Sequence, residues 1–359
     1  MKIYINGRFL TQRITGVQRY ALEIIRALDS LISDDKNLQK HEYIVIAPKK
    51  VLYSIKLNNI QEVQKGILKG HLWEQLELPL YSHDGFLMNF CNCAPLIKRN
   101  QTVTIHDAAV SAMPNSFSWV FRTWYKLMFM WLGRSLEHIF TVSEFSKKEL
   151  NKYYDIPLSK IYVTYNGIDH IKKFKADESI IDREDLKGKK YVLAVSSMNP
   201  SKNFPLVLDV ARLMSDVEFI IAGGSNEKVF KSAGLDVPQN ANLIGYVSDE
   251  ELMALYRHAS VFVYPSLYEG FGIPPLEAMM CGCPVVVSDI EVFREVYGDS
   301  VEYCDYKDER LWTKVLKEVI EYTNCKKIDS DIICNKYNWN KTVYTLQNII
   351  FVNKLFMRR

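Results

Sequence analysis

The chain has 359 residues, 48% of them hydrophobic and 24% charged, which is ample apolar material for two cores and ordinary for a globular protein in water. Its formal net charge of +3 is too small to argue for a nucleic-acid partner, and no run of about 18 uncharged apolar residues offers a helix to span a bilayer. The seven cysteines are odd in number and include the C-x-C pairs Cys91/Cys93 and Cys281/Cys283, with no histidine cluster beside either. They argue against a disulfide framework and read as buried free thiols.

Met1-Lys2-Ile3-Tyr4-Ile5-Asn6-Gly7 reads as a strand running into a turn. It has neither the apolar core nor the cleavage site of a signal peptide, so a cytoplasmic chain is expected. After Ile14-Thr15-Gly16 comes a helical face made of Val17, Tyr20, Ala21, Ile24, Leu28 and Leu31. Apolar runs at Tyr43–Ala47, Phe86–Phe90, Thr102–His106, Ile139–Val142 and Ile161–Tyr165 predict further strands. Phe117–Arg134 holds seven aromatics with Arg122, Lys126 and Arg134. One helical phase gives the core Phe121, Trp124, Tyr125, Met128 and Leu132, and leaves over Val120, Leu127 and Trp131. From Trp119 to Lys175 there are ten Lys/Arg against five Asp/Glu. A buried helix with a solvated face and a helix at a membrane interface both fit this stretch.

Lys172–Lys190 is rich in charge and has no strong period, so it reads as an interdomain linker. A second strand series follows at Tyr191–Ser196, Phe219–Ala222, Val261–Tyr264, Pro284–Val287 and Val301–Tyr303. A helix built on Leu206, Val210, Leu213 and Met214 lies among them. Continuously apolar strands alternating with amphipathic helices predict α/β architecture: two Rossmann-like parallel-sheet domains facing across a cleft, with right-handed crossovers. The expected divisions are residues 1–172, residues 173–339, and a C-terminal helix at 340–359 that crosses back to the first domain.

The strongest local signal runs from Tyr264 to Met279. An apolar strand ends at Pro265, a loop carries Glu269, Gly270, Phe271 and Gly272, and a helix opens near Pro275 and carries Glu277. Loop amides and a helix N-terminus suit a phosphate, and carboxylates suit sugar hydroxyls. Two glutamates with seven residues between them, set in the stretch from Leu243 to Ser288, resemble the signature of the family-4 glycosyltransferases of GT-B fold. The resemblance extends over essentially the whole chain and is strongest to enzymes of bacterial surface-polysaccharide synthesis.

That resemblance implies roles. Glu269 contacts the donor sugar near the reacting centre and Glu277 binds the ribose. Phe271, Gly272 and Ile273 pass beside sugar and diphosphate with their amides. Lys202, after the polar loop Ser196–Ser201, neutralises the departing diphosphate. Where the family often has Gly-Arg-Leu this chain has Ser197-Met198, so Asn203, a serine or Arg257 is left to complete the phosphate clamp. Tyr246 and Val247 match the loop that meets the base. Gly223 admits a flat base, although simple turn geometry also accounts for Ala222-Gly223-Gly224. His106, at a strand end before Asp107, matches the histidine that touches the donor sugar, while Asp107 orients backbone or a helix N-terminus. Gly16 matches half of a Gly-Gly loop near phosphate and acceptor, and Arg19 fits cleft and solvent equally.

The activity implied is retaining hexosyl transfer from a nucleotide-diphosphate sugar, with GDP-mannose preferred and a UDP-hexose next. The acceptor is a glycan or a polyprenyl-diphosphate-linked oligosaccharide, as in O-antigen synthesis, reached at the inner face of the membrane through a peripheral contact. No metal and no other cofactor is expected, and no Asp-x-Asp pair is enlisted for Mg²⁺. A nucleotide-sugar epimerase of the same fold and a catalytically silent nucleotide-sugar-binding subunit are the alternatives.

Overall fold

The computed structural model describes residues 1–195, 199–223, 236–321 and 330–356, with side chains to residue 350. The chain divides into two compact units, Met1–Gly167 with Tyr337–Arg359, and Ile168–Lys336.

In the first unit seven parallel strands follow the order β3-β2-β1-β4-β5-β6-β7. They are β1 (Lys2–Asn6), β2 (Glu42–Ala47), β3 (Ile60–Gln64), β4 (Phe86–Asn89), β5 (Gln101–Thr104), β6 (Ile139–Thr141) and β7 (Ile161–Val163). Between β1 and β2 runs α1 (Gly16–Asp34), whose buried stripe includes Tyr20, Ile24 and Leu28. Its start is fixed by a capping box, in which Thr15 and Gln18 exchange side-chain contacts with each other's backbone. Ahead of β4 lies a composite helix: α2 (Gly70–Leu72), a π turn (Trp73–Glu77) and α3 (Leu78–Tyr81). After β5 come α4 (Ala109–Ala112), α5 (Trp119–Ser135) and, beyond β6, α6 (Glu144–Tyr154).

In the second unit six parallel strands follow the order β10-β9-β8-β11-β12-β13. They are β8 (Tyr191–Val195), β9 (Glu218–Ala222), β10 (Ala241–Gly245), β11 (Val261–Tyr264), β12 (Val285–Ser288) and β13 (Glu302–Cys304). Among the described residues the helices are α7 (Ser179–Arg183), α8 (Phe204–Leu213), α9 (Asp249–His258), α10 (Ile273–Met280), α11 (Glu291–Tyr297), α12 (Glu309–Glu321) and α13 (Ser330–Lys336). Central strands such as Val-Phe-Val-Tyr of β11 are buried at every position, because helices cover both sheet faces. One side of that core joins Phe204, Val207 and Val210 of α8 to Trp312 and Leu316 of α12.

The final helix, α14 (Trp339–Phe356), lies with the first unit and packs on α1. Trp339 is buried and meets Tyr20 edge-on with ring centroids 5.8 Å apart.

Three expectations need correction. Lys172–Lys190 is not a free linker but part of the second unit. Ile180 and Ile181 are buried there, Asp177 N–H donates to the Glu250 carbonyl (3.0 Å), and Arg183 pairs with Glu251 at 2.6 Å. Charge surrounds two anchoring isoleucines, each worth about 1.5–3 kcal/mol when buried. In α5 the core takes Met128, Phe129, Leu132 and Gly133, while Phe121 and Trp124 lie exposed. Leu213 ends α8 in solvent rather than on its buried face.

Candidate active site

Two turns of the second unit meet beyond the C-terminal ends of β8 and β11. After β8 a short 3-10 turn, Pro200–Lys202, is capped by Asn199, whose Oδ1 accepts from Ser201 N–H at 3.0 Å. Asn203 then takes a left-handed conformation, φ 52°, and α8 begins. Its Nδ2 donates to the Tyr306 carbonyl at 3.0 Å. After β11 the loop from Pro265 to Gly272 is tied to this turn by Leu267 N–H donating to the Ser201 carbonyl at 2.7 Å. That bond sets Lys202 against Glu269.

Lys202 Nζ donates to the Glu269 carboxylate and, at 2.9 Å, to the Tyr264 hydroxyl. Ser266 Oγ donates to the same carboxylate oxygen at 2.8 Å. Burial pulls the Lys202 pKa down, but Glu269 and Tyr264 pull it up by more, so the ammonium is held above its ordinary value. Burial and the neighbouring carboxylate push the Tyr264 phenol up, leaving it a neutral hydrogen-bonding group. The result is a charged pair at a strand-end loop, where open α/β sheets bind ligands.

The loop closes on Gly272, at φ 93°. A Cβ there would collide with the Tyr297 hydroxyl and come within 2.9 Å of Phe293. Tyr297 instead donates to the Gly272 carbonyl at 2.7 Å, holding the loop from α11. Phe271 and Ile273 are buried on either side. Pro274 and Pro275 occupy the first turn of α10 and carry no N–H. The N–H groups at this helix start are therefore those of the loop up to Ile273.

Glu277, one helical stretch further on, faces two buried partners. His170 Nε2 stands 3.3 Å from Oε1, and the Tyr256 hydroxyl donates to Oε2 at 3.4 Å. At the ends of β9 and β10, Gly223 N–H donates to the Gly245 carbonyl at 2.7 Å. Gly223 has φ 147°. Tyr246 beside them is 69% exposed while Val247 is buried. An exposed aromatic ring of this kind can stack on a flat base. Ser196, Ser197, Met198 and Gly224 lie outside the described residues.

In the first unit His106 stands at the end of β5. Its N–H donates to Asn92 Oδ1 at 2.7 Å, and its ring meets Tyr20 edge-on at 4.8 Å. The Phe90 carbonyl, 2.8 Å from Nε2, can only accept, so Nε2 carries the hydrogen and Nδ1 is the acceptor. Burial pushes the His106 pKa down to about 4, and the ring is neutral near pH 7. Asp107 Oδ1 accepts from Ala109 N–H at 2.8 Å, the orienting role expected of it. Gly16 opens α1, and a Cβ there would meet nothing within 4 Å.

Sequence reasoning missed a buried polar network at the ends of β1 and β4. Asn6 Nδ2 donates to Glu74 Oε1 (2.7 Å) and Asn89 Oδ1 (3.0 Å), and Arg8 Nε pairs with Glu74 at 3.1 Å. His71, Glu74 and Cys93 bring ligand atoms within 4.8 Å of one another, so the tertiary fold supplies the histidine that the C-x-C spacing lacked. Arg8 already balances Glu74, and burial pushes the Cys93 thiol up to about 12. The trio is thus dressed as an internal ion-pair network. The sequence also holds an Asp-x-Asp string, Asp329-Ser330-Asp331. Asp331 is a surface carboxylate 3.8 Å from Lys172, and Asp329 lies outside the described residues. The described cysteines are free, with Cys93, Cys283, Cys304 and Cys334 buried and Cys91 and Cys281 partly so.

Two Rossmann-like parallel sheets, the second ending in this glutamate-bearing loop and helix, define the GT-B class. The family models named Glycosyl transferases group 1 and Glycosyltransferase Family 4 match residues 176–339 and 75–172. The chain belongs to the family-4 glycosyltransferases. It is 33% identical over 230 residues to the O-antigen chain mannosyltransferase RfbU of Salmonella typhimurium, covering 63% of this chain and 62% of that one. It is 32% identical over 197 residues to O-antigen chain mannosyltransferase B of Escherichia coli, covering 48% and 49%. The chain thus matches less than two thirds of the length of either relative. Among solved structures, sucrose-phosphate synthase of Thermosynechococcus elongatus superposes with a TM-score of 0.75 over 100% of this chain and 99% of that one, at 14% identity.

Proposed function

We propose that the protein is a retaining, metal-independent hexosyltransferase of surface-polysaccharide synthesis. It takes a hexosyl group from a nucleotide-diphosphate sugar, GDP-mannose first and a UDP-hexose next. It delivers the group to a glycan or a polyprenyl-diphosphate-linked acceptor at the inner face of the membrane. The observation that carries this reading is the Lys202–Glu269 pair on a loop locked by Tyr297. The names of the two O-antigen relatives favour mannose.

Breaking a sugar–diphosphate bond leaves negative charge on the leaving group and positive charge at the anomeric carbon. Lys202 supplies a fixed cation for the first, with Asn203 and the amides of Phe271, Gly272 and Ile273 completing the cradle. Preorganised donors of this kind are each worth about 3 kcal/mol in the transition state. Glu269 orients a donor hydroxyl, and Glu277, steadied by His170 and Tyr256, takes the ribose. Tyr246, Val247 and Gly223 receive the base. His106 and Gly16 serve the sugar and acceptor from the first unit. Glu269 is already held by Lys202 and Ser266, which favours acceptor attack on the leaving-group face over a covalent intermediate on that carboxylate. The acceptor proton then passes to a phosphate oxygen.

The test is a thermal-shift panel of GDP, UDP, ADP and dTDP with their sugar conjugates, followed by transfer assays, all with and without EDTA. A ligand that binds only the native state raises the melting temperature. A GDP-selective shift insensitive to EDTA, with transfer from GDP-mannose only when acceptor is present, is expected. Conversion of the donor without acceptor would make the chain an epimerase. Binding without any turnover would make it a silent subunit, and loss of transfer in EDTA would remove the metal-free mechanism.

A further inference from the structure

Tyr264 is a buried titratable group to which the proposed mechanism gives no part. It ends β11 and lies in the core. Its ring sits among aromatics, with centroids 6.0 Å from Phe262 and 5.8 Å from Phe293. A phenylalanine would fill that place. The hydroxyl needs a partner of its own, and it has Lys202, whose Nζ donates to it at 2.9 Å. The ring centroid is 5.2 Å from the same Nζ, within reach of cation–π attraction. The neighbouring Ser266 is buried as well, and its Oγ donates at 2.8 Å to the Glu269 oxygen that Lys202 also meets.

An ammonium carries three N–H groups and no acceptor. Glu269 takes one and Tyr264 a second, and among the described residues Nζ makes no third hydrogen bond. The Lys202 side chain is 21% exposed, so the last N–H is open to a ligand. Lysine by itself aims poorly, because its four-carbon stem is flexible. Held by one acceptor, the ammonium and its stem can swing about the single hydrogen bond. A second acceptor, carried on a rigid strand, removes that freedom and sets the direction of the last N–H. We propose that Tyr264 is a positioning residue: its hydroxyl fixes the Lys202 ammonium so that the remaining N–H points at the diphosphate oxygen that gains charge as the sugar departs. Tyr264 itself touches no substrate in this assignment. The proposal deepens the reading of Lys202 as the cation of the diphosphate and rests on it. Charge attraction depends weakly on the direction of an N–H, whereas a hydrogen bond weakens steeply when misaligned. Loss of the hydroxyl should therefore spare binding of the intact donor and raise the barrier to transfer.

The experiment compares Tyr264→Phe, which keeps the ring, with Tyr191→Phe. The latter removes a buried phenol from the adjacent strand β8, where it donates to the Leu255 carbonyl at 2.6 Å. Melting curves of the full chain confirm that both fold. Calorimetry and transfer kinetics are read with GDP-mannose, or with the sugar conjugate that the wild type uses. Tyr264→Phe is expected to lose on the order of tenfold or more in kcat while its affinity for the intact conjugate stays near that of the wild type. Tyr191→Phe should match the wild type in both. Heteronuclear NMR of the chain labelled at lysine reads the contact without any donor. The Lys202 ammonium signal, assigned by its loss in Lys202→Met, should move or broaden in Tyr264→Phe and stay in place in Tyr191→Phe. Wild-type kcat in Tyr264→Phe, a loss of donor affinity that accounts for all of the lost transfer, or an unmoved ammonium signal overturns the proposal. So does an equal loss in Tyr191→Phe, which would trace to a weakened sheet. A wild type that transfers from no sugar conjugate refutes the transferase reading, and the ammonium signal then decides whether Tyr264 positions Lys202.

Discussion

Lys202 is neutralised by Glu269. An arriving diphosphate must therefore compete with a carboxylate for it, and that competition separates binding from turnover. Glu269→Gln keeps a hydrogen-bonding group but frees the cation. It should bind the nucleoside diphosphate more tightly than the wild type while losing transfer by roughly a hundredfold or more. Lys202→Met should lose both. Calorimetry with GDP and UDP beside a transfer assay distinguishes the two, and weaker diphosphate binding in Glu269→Gln would remove the competition. His106 makes a different demand. Its folded pKa, about 4, lies below the unfolded value of 6.5. As pH falls below the unfolded value, the unfolded chain takes up the proton first, so stability drops between about pH 6.5 and pH 4 and the loss is complete below that. The full penalty is about 3 kcal/mol. Chemical denaturation of wild type and His106→Gln across this window should show the shallower pH dependence in the variant. Identical slopes would mean that His106 is not buried as a neutral ring.

At the scale of elements, the loop before α10 depends on one glycine and one tyrosine. Gly272→Ala places a methyl against the Tyr297 hydroxyl at a positive φ, so both donor binding and melting temperature should fall. Tyr297→Phe removes only the hydrogen bond to the Gly272 carbonyl, a loss of about 1 kcal/mol, and should loosen donor binding with little change in melting. Equal destabilisation by the two would show that Tyr297 supports the core rather than the loop. Every interior strand was legible in the sequence, because burial on both faces favours an apolar run, and the edge strands β7 and β13 were legible as well. Strands β3 and β10 were not legible. Each lies at a sheet edge, and Ile-Gln-Glu-Val-Gln and Ala-Asn-Leu-Ile-Gly lack the run that double burial would require. The phase of α5 was misjudged for a related reason. With aromatics all round the helix, periodicity did not say which residues would be buried. In the site, Glu269, Lys202 and Glu277 could be found from their local string. Tyr264, Tyr256, His170 and Tyr297 could not, because each reads as an ordinary core residue until the fold brings it to a loop or a carboxylate.

Over the whole molecule, the chain returns from its second unit to finish its first, and this makes the first unit discontinuous in sequence. Trp339 is the anchor of that return. It is buried, meets Tyr20 of α1, and lies so close to Gly167 that a Cβ on the glycine would strike its backbone nitrogen. Thr342 Oγ1 donates to the Tyr165 carbonyl at 2.6 Å, and the rings of Tyr165 and Tyr337 meet edge-on at 5.7 Å. A large buried aromatic costs about 3–5 kcal/mol when cut to alanine, a sizeable share of the 5–15 kcal/mol that typically holds a domain folded. The cost should fall on one unit only. In Trp339→Ala, amide hydrogen exchange should quicken in β1, β4 and α1, while β8, β11 and β12 keep their protection, since none of the contacts named belongs to the second unit. Donor-diphosphate binding should then survive where transfer fails, because the proposed diphosphate cradle lies wholly within residues 168–336. Exchange that quickens equally in both sheets would show that the units do not unfold separately, and the C-terminal helix would then stabilise the protein as one cooperative body.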